Sequence, residues 1–124
     1  MEIMENGKHV EEMIRHAIDL MGVAVTIIDT EGRLLYFNRH AEKILDRKPE
    51  YIGQDPRTHH KKPTSNEKFD AMMLSFEQGR TDPFRYEAKP YEKVIQVTLS
   101  PIHIDGEFTG CVQSVQLKEE IFQK

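Results

Sequence analysis

Several features that define other protein classes are scarce or missing in this chain. Its single cysteine, Cys111, excludes a disulfide framework and any zinc site built from several cysteines. No apolar run approaches the roughly 20 residues needed to cross a bilayer, and the acidic start is unlike a signal peptide. Acidic residues outnumber basic ones by 21 to 17, whereas nucleic-acid binding requires a basic surface. We therefore expect a cytoplasmic protein that binds neither nucleic acid nor a membrane.

The short motifs of common enzymes are also missing. The sequence has no Gly-rich phosphate loop, no Gly-x-Ser-x-Gly and no His-Glu-x-x-His. Asp29, Glu31, Asp46 and Asp55 lie at predicted turns and helix ends, where carboxylates normally serve as caps. We therefore predict that the protein is not an enzyme, and a small cavity enzyme is the least favoured alternative.

What the chain does have is the composition of one folded domain. Its 124 residues are 38% apolar and 31% charged, which is an ordinary mixture for a domain with a single core. We divide it into an N-terminal amphipathic flanking helix over residues 1–21, the domain itself over residues 22–117, and a linker or helix start over residues 118–124.

Hydrophobic spacing predicts two amphipathic helices. The first covers residues 8–21 and ends at Gly22, with charged residues on its opposite face. Its apolar stripe consists of Val10, Met13, Ile14, Ala17 and Met21. The second covers residues 64–79, because Thr64-Ser65-Asn66-Glu67 has the spacing of a capping box and Gly79 is a typical helix end. Its apolar stripe consists of Phe69, Met72, Met73 and Phe76.

Alternating patterns predict five strands joined largely by hairpins. Asn38 caps a short helix that ends near Asp46, and Asp105-Gly106 makes a tight turn. Such an order predicts an α+β fold with one five-stranded antiparallel sheet and short helices on one face. Prolines interrupt the middle of the chain, so we expect a cavity between helices and sheet. The predicted strands cover residues 23–28, 33–37, 84–89, 93–104 and 108–117.

Certain residues recur at the joints between these elements, namely Ile28-Asp29-Thr30-Glu31-Gly32, Tyr36-Phe37-Asn38, Ala41, Ile44, Leu45 and Tyr51-Ile52-Gly53. With these residues, the order of the elements resembles the PAS domain over about residues 20–118. The stretch 52–79 is similar to PAS domains fused to hemerythrin-like modules. After the last strand, where PAS domains often read Asp-Ile-Thr, this chain has Gln116-Leu117-Lys118.

The resemblance implies a small-molecule site between the long helix and the sheet. The hydroxyl of Tyr86 is a donor that would orient a guest, and methionines adapt to irregular apolar ligands. The alternative is that the same side chains only fill the core. The candidate lining consists of Ile27, Leu35, His59, His60, Phe69, Met72, Met73, Phe76, Tyr86, Ile95, Val97 and Val115.

Two adjacent histidines, His59 and His60, raise the question of a cofactor. Haem-binding PAS domains place an axial histidine on or near the long helix, and neutral imidazole is a good ligand for iron. We favour the alternative, in which one imidazole bonds the backbone and the other is solvated, because no histidine lies within residues 64–79. No other metal site is predicted. Flavin is disfavoured, because the cysteine motif of light-sensing relatives is missing and Cys111 lies in the last strand.

The apolar stripe of residues 8–21 must pack either on its own sheet or on a second copy of the chain. In PAS proteins this helix commonly mediates dimers, and the outer face of the sheet is commonly apolar. We predict a homodimer through Val10, Met13, Ile14, Ala17 and Met21. The outer face is predicted to carry Val94, Gln96, Thr98, Ile102 and Gln113.

Taken with the resemblance, these patterns favour a sensory module for signal transduction or transcription regulation. A small ligand would bind in the cavity, and flanking helices and dimerisation would relay its presence to an effector domain or partner protein. The alternative is a dimerising scaffold that holds no ligand.

Overall fold

The computed structural model describes residues 7–45, 48–54, 64–89 and 93–118, with side chains omitted at 64–66. The predicted order of elements is confirmed, with ends shifted by at most two residues. Within the described ranges, no helix is long and apolar enough to cross a membrane. The elements are α1 (Gly7–Leu20), β1 (Ala24–Asp29), β2 (Leu34–Phe37), α2 (Arg39–Ile44), a 3-10 turn (Pro49–Tyr51), α3 (Thr64–Glu77), β3 (Phe84–Ala88), β4 (Ile95–Ile104) and β5 (Glu107–Leu117).

The strands form one five-stranded antiparallel sheet in the order β2-β1-β5-β4-β3. The predicted α+β class is therefore confirmed. At the β4–β5 hairpin, Asp105 and Gly106 have φ angles of 52° and 80°, which are typical of the turn that matches the right-handed twist of paired strands. Because β1 lies between β2 and β5, the N-terminal half of the chain enters the sheet beside its last strand.

Side chains on one face of the sheet pack against α2 and α3, and we call this the inner face. Two apolar clusters lie on it. The first is formed by Ala24, Ala41, Ile95, Val97 and Val115, and it includes α2. The second is formed by Ile28, Met73, Phe76, Leu99 and Cys111, and it includes α3. The opposite face, which carries the alternate residues of each strand, is the outer face.

The buried side chain of Asn38 joins α1 to the sheet and to α2. Its Oδ1 accepts hydrogen bonds from the backbone N–H groups of Val25 at 2.9 Å and Ala41 at 3.0 Å. Its Nδ2 donates to the carbonyl oxygens of Ile18 at 2.7 Å and Val23 at 2.9 Å. The predicted cap of α2 is confirmed, and the same amide also fixes the C-terminal end of α1.

The turn between β1 and β2 is held by the carboxylate of Asp29. Its Oδ1 accepts from the backbone N–H groups of Glu31 at 2.9 Å and Arg33 at 2.8 Å, and its Oδ2 accepts from Arg33 Nε at 2.9 Å. Burial raises the pKa of Asp29, but the hydrogen bonds from Arg33 and Glu31 outweigh this effect and bring the pKa below its ordinary value. This acid therefore serves the turn, as the sequence predicted.

We predict that Asn38→Ala lowers the free energy of unfolding by about 2–4 kcal/mol, since it removes a helix cap and leaves buried backbone groups unpaired. Asn38→Asp keeps both acceptor bonds but loses the two donors. It should therefore speed amide hydrogen exchange at the end of α1 more than in α2.

The control is Arg39→Ala, since the Arg39 side chain is exposed, and this variant should stay within about 0.5 kcal/mol of wild type in urea unfolding. Equal stabilities of Asn38→Ala and Arg39→Ala would contradict the role given to this amide.

Candidate functional site

The long helix α3 supplies one wall of the candidate site. Met73 and Phe76 are 7% and 0% exposed, and Phe69 and Met72 pack beside them in the second cluster. The Phe76 ring lies 5.3 Å from the ring of Phe84, measured between centroids. The predicted apolar stripe of this helix therefore faces the sheet. Its contact with a ligand stays a prediction.

The opposite wall is the inner face of the sheet. Ile95, Val97 and Val115 are almost fully buried in the first cluster, on the side where they were predicted. Tyr86 pairs with Val97 and therefore shares this face. It differs from the other three, because 37% of the Tyr86 residue is exposed. The inner face is thus incompletely covered next to β3.

Three polar side chains, those of Thr26, Gln113 and Tyr86, form a diagonal line across the otherwise apolar inner face, and we call this line the polar row. Thr26 is 1% exposed and lies opposite Gln113 in the β1–β5 pair. The Gln113 side chain makes a hydrogen bond with the Tyr86 hydroxyl, reaching across β4. Burial raises the pKa of Tyr86, and the bond from Gln113 offsets only part of that effect. Tyr86 is therefore a neutral phenol at physiological pH, able to donate as well as accept.

The prediction that Ile27 and Leu35 line the inner face is wrong. Ile27 lies between Thr26 and Ile28, which both face inward, so its side chain is on the outer face. Leu35 is 51% exposed. For Leu35 the reason is the register shift in the β1–β2 pair, which a strict alternation cannot anticipate. For Ile27 the reason is that residues 23–28 are nearly all apolar, so the sequence gives no polar and apolar alternation that identifies the inner face of β1.

Gln113 was predicted on the outer face and lies on the inner one. The alternation along β5 already carried the signal, because Gln113 precedes Val115 by two residues and must share its face. Polarity alone favours a solvent-exposed position for a glutamine, and Thr26 lies within an otherwise apolar strand. The predicted lining therefore contains neither residue.

His59 and His60 lie outside the described residues, so haem ligation stays a prediction.

The predicted dimer stripe of α1 is largely exposed. Met13, Ile14 and Met21 are 59%, 54% and 48% exposed. Ala17 is also exposed, and Val10 is half-buried. No residue of α1 is buried, although its C-terminal end is bonded to Asn38. The stripe therefore does not pack into the core of its own domain.

A family model described as PAS domain matches residues 15–116. The PAS domain of a protein from Colwellia psychrerythraea has a TM-score of 0.70 at 16% identity, over 90% of this chain and 98% of that chain. The PAS domain of BvgS from Bordetella pertussis has a TM-score of 0.67 at 15% identity, over 91% of both chains.

A domain of the putative light and redox sensing histidine kinase from Haloarcula marismortui has a TM-score of 0.62 at 16% identity, over 86% of this chain and 98% of that chain. A search of curated proteins found no match. At identities this low, the structural neighbours share the fold, and the family match is the finding that places the chain.

Cys111 is the residue that β5 contributes to the buried part of the second cluster. It is 0% exposed, and its Sγ lies 3.5 Å from the Sδ of Met73. Burial raises the pKa of the thiol to about 12. A neutral, enclosed thiol is a poor nucleophile, so Cys111 acts as a small core residue, as predicted.

We predict that this thiol makes stability fall at alkaline pH. The unfolded chain releases the Cys111 proton near pH 9, while the folded chain holds it to about pH 12. Between neutral pH and about pH 10.5, wild type should therefore lose about 2 kcal/mol of unfolding free energy that Cys111→Ala does not lose. Urea unfolding at several pH values measures this difference, and parallel pH profiles of the two proteins would contradict it.

Proposed function

Since this chain belongs to the PAS domain family, whose model matches residues 15–116, we propose that it is a sensory module of a signalling system. A small ligand binds between α3 and the inner face of the sheet, and the flanking helices relay its presence to an effector domain or partner protein. The histidine kinase named among the structural neighbours supports this context, because its described role is sensing.

The observation that carries the proposal is the partial exposure of Tyr86 on the inner face. A side chain on the face that α3 covers is expected to be buried, unless helix and sheet leave room beside it. Met72 of α3 is also only partly buried. A flexible thioether on one wall and a phenol on the other suit an apolar guest with a polar group.

A dimerising role is supported by the exposed stripe of α1. Met13 and Ile14 are more than half exposed, and leaving such side chains in water is unfavourable by about 25 cal/mol per Å² of apolar area. A second copy of the chain presents the same stripe, so a symmetric contact buries both. We propose a homodimer through α1, which serves either the sensor or a ligand-free scaffold.

We assign no catalytic function to the chain. This is supported by Asp29, one of the acids considered from the sequence, because both of its carboxylate oxygens accept hydrogen bonds from Arg33 in the turn. Haem at His59 or His60, and kinship with PAS domains fused to hemerythrin-like modules, stay predictions. An absorption spectrum of the purified protein tests haem directly, because bound haem gives a strong Soret band.

The ligand proposal is tested with Met72→Trp, which adds bulk to the wall of the site. Native mass spectrometry of protein purified from cells should detect a small guest in wild type, and Met72→Trp should lose it or bind it at least tenfold more weakly. Leu74→Trp is the matched control, because Leu74 is 52% exposed on the same helix. Wild-type protein without any guest would favour the scaffold.

The dimer proposal is tested by placing carboxylates in the stripe. The double variant Met13→Glu, Ile14→Glu should dissociate the dimer, because two like charges per chain would meet in an apolar contact. Lys8→Glu makes the same change in net charge at another exposed position and should leave the dimer intact. Sedimentation velocity separates the species, and an unchanged coefficient in the double variant would reject the assignment to α1.

A further inference from the structure

The inner face offers an incoming ligand a small number of polar atoms. Thr26, Gln113 and Tyr86 form a diagonal row, because Gln113 lies opposite Leu99 whereas Tyr86 lies opposite Val97 in β4. Apolar side chains of the two clusters lie on either side of this row. Thr26 is buried within the sheet, whereas Tyr86 is 37% exposed and is therefore accessible to an incoming molecule. The part of the row that a guest reaches first is therefore Tyr86, whose hydroxyl is bonded to Gln113.

The chemistry of these two side chains is both donating and accepting. A glutamine amide offers two N–H donors and one carbonyl acceptor, and a phenol offers one donor and one acceptor. In the free protein they bond one another. A ligand that donates to one and accepts from the other replaces that bond without leaving a buried group unpaired, which is the costly outcome.

Charge on the guest is disfavoured by the same surroundings. Among the described residues, the side chains of the two clusters and the polar row include no acid, lysine or arginine. An ion placed there would lose its hydration without gaining a partner of opposite charge, which is strongly unfavourable. A neutral polar group avoids this penalty.

We infer that Tyr86 and Gln113 form the polar end of the ligand site and select a neutral group that both donates and accepts hydrogen bonds, such as a primary carboxamide. This inference rests on the proposed function, since it names the ligand class for the same space between α3 and the sheet. The apolar remainder of such a ligand lies against the clusters that flank the row.

Three small aromatic probes of nearly equal shape test the inference on the wild-type protein. Benzamide is neutral with donor and acceptor, acetophenone is neutral with an acceptor only, and benzoate is an anion. We expect benzamide to bind about tenfold more tightly than acetophenone, and benzoate to bind most weakly. Titration followed by amide chemical shifts gives the three dissociation constants and needs no substitution.

Variants then locate the contact. Gln113→Leu should weaken benzamide about tenfold and leave acetophenone nearly unchanged, and the conservative Tyr86→Phe should weaken both. Gln96→Leu and Tyr36→Phe make the same replacements on the outer face and should change none of the constants. Amide spectra of each variant establish that the fold is kept, and the wild-type comparison stands if a variant fails to fold.

The outcomes separate this inference from the proposal beneath it. Equal binding of benzamide and acetophenone, or tightest binding of benzoate, overturns the polar selection and leaves the ligand site in place. If no probe binds, the guest that copurifies with wild type decides. A guest with a neutral donor and acceptor supports the inference, a charged or wholly apolar guest overturns it, and no guest at all overturns the ligand site as well.

Discussion

The buried amide of Asn38 is the contact on which the position of the N-terminal helix depends. Its oxygen accepts from the N–H groups of Val25 and Ala41 in the domain. Its nitrogen donates to the carbonyl oxygen of Ile18 in α1 and to that of Val23 in the connection between α1 and β1. Because no residue of α1 is buried, hydrophobic packing within the chain contributes little to holding it. Directional hydrogen bonds therefore set where this helix leaves the domain.

The second constraint on the structure is that polar side chains separate the two apolar clusters of the inner face. A continuous apolar sheet would be more stable, because polar groups in a core must be hydrogen-bonded merely to offset their lost hydration. Here Thr26 and Gln113 lie opposite each other in β1 and in the central strand β5. A polar row at the centre of the sheet costs stability locally, and such departures from the stability optimum are expected where a protein binds something.

Much of this fold follows from local patterns in the sequence. Helical spacing identified α1 and α3, Asp105-Gly106 identified the last hairpin, and Asn38 identified the start of α2. The side-chain direction of Leu35 did not follow, because the register shift in the β1–β2 pair is set by tertiary pairing. That of Ile27 did not follow, because residues 23–28 are nearly all apolar and do not mark which face of β1 is buried. Gln113 could have been placed correctly, since strand alternation ties it to Val115. Its bond to Tyr86 could not, because that bond spans two strand spacings.

Strand β5 connects the polar row with both flanking segments. Lys118 follows the last residue of β5, and its Nζ atom lies 3.1 Å from Oε1 of Glu87, the neighbour of Tyr86 in β3. On the β1 side of β5, Gln113 pairs with Thr26, whose neighbour Val25 donates to Asn38. A guest that replaced the hydrogen bond between Gln113 and Tyr86 would therefore act next to two other contacts. These are the ion pair of Lys118 with Glu87 and the hydrogen bond of Val25 with Asn38. Adjacency alone does not produce a signal, because a ligand shifts an equilibrium only by its difference in affinity for two states. In the proposed site, that difference would arise in the exchange of the hydrogen bond between Gln113 and Tyr86, one of the contacts that join β3 to β5.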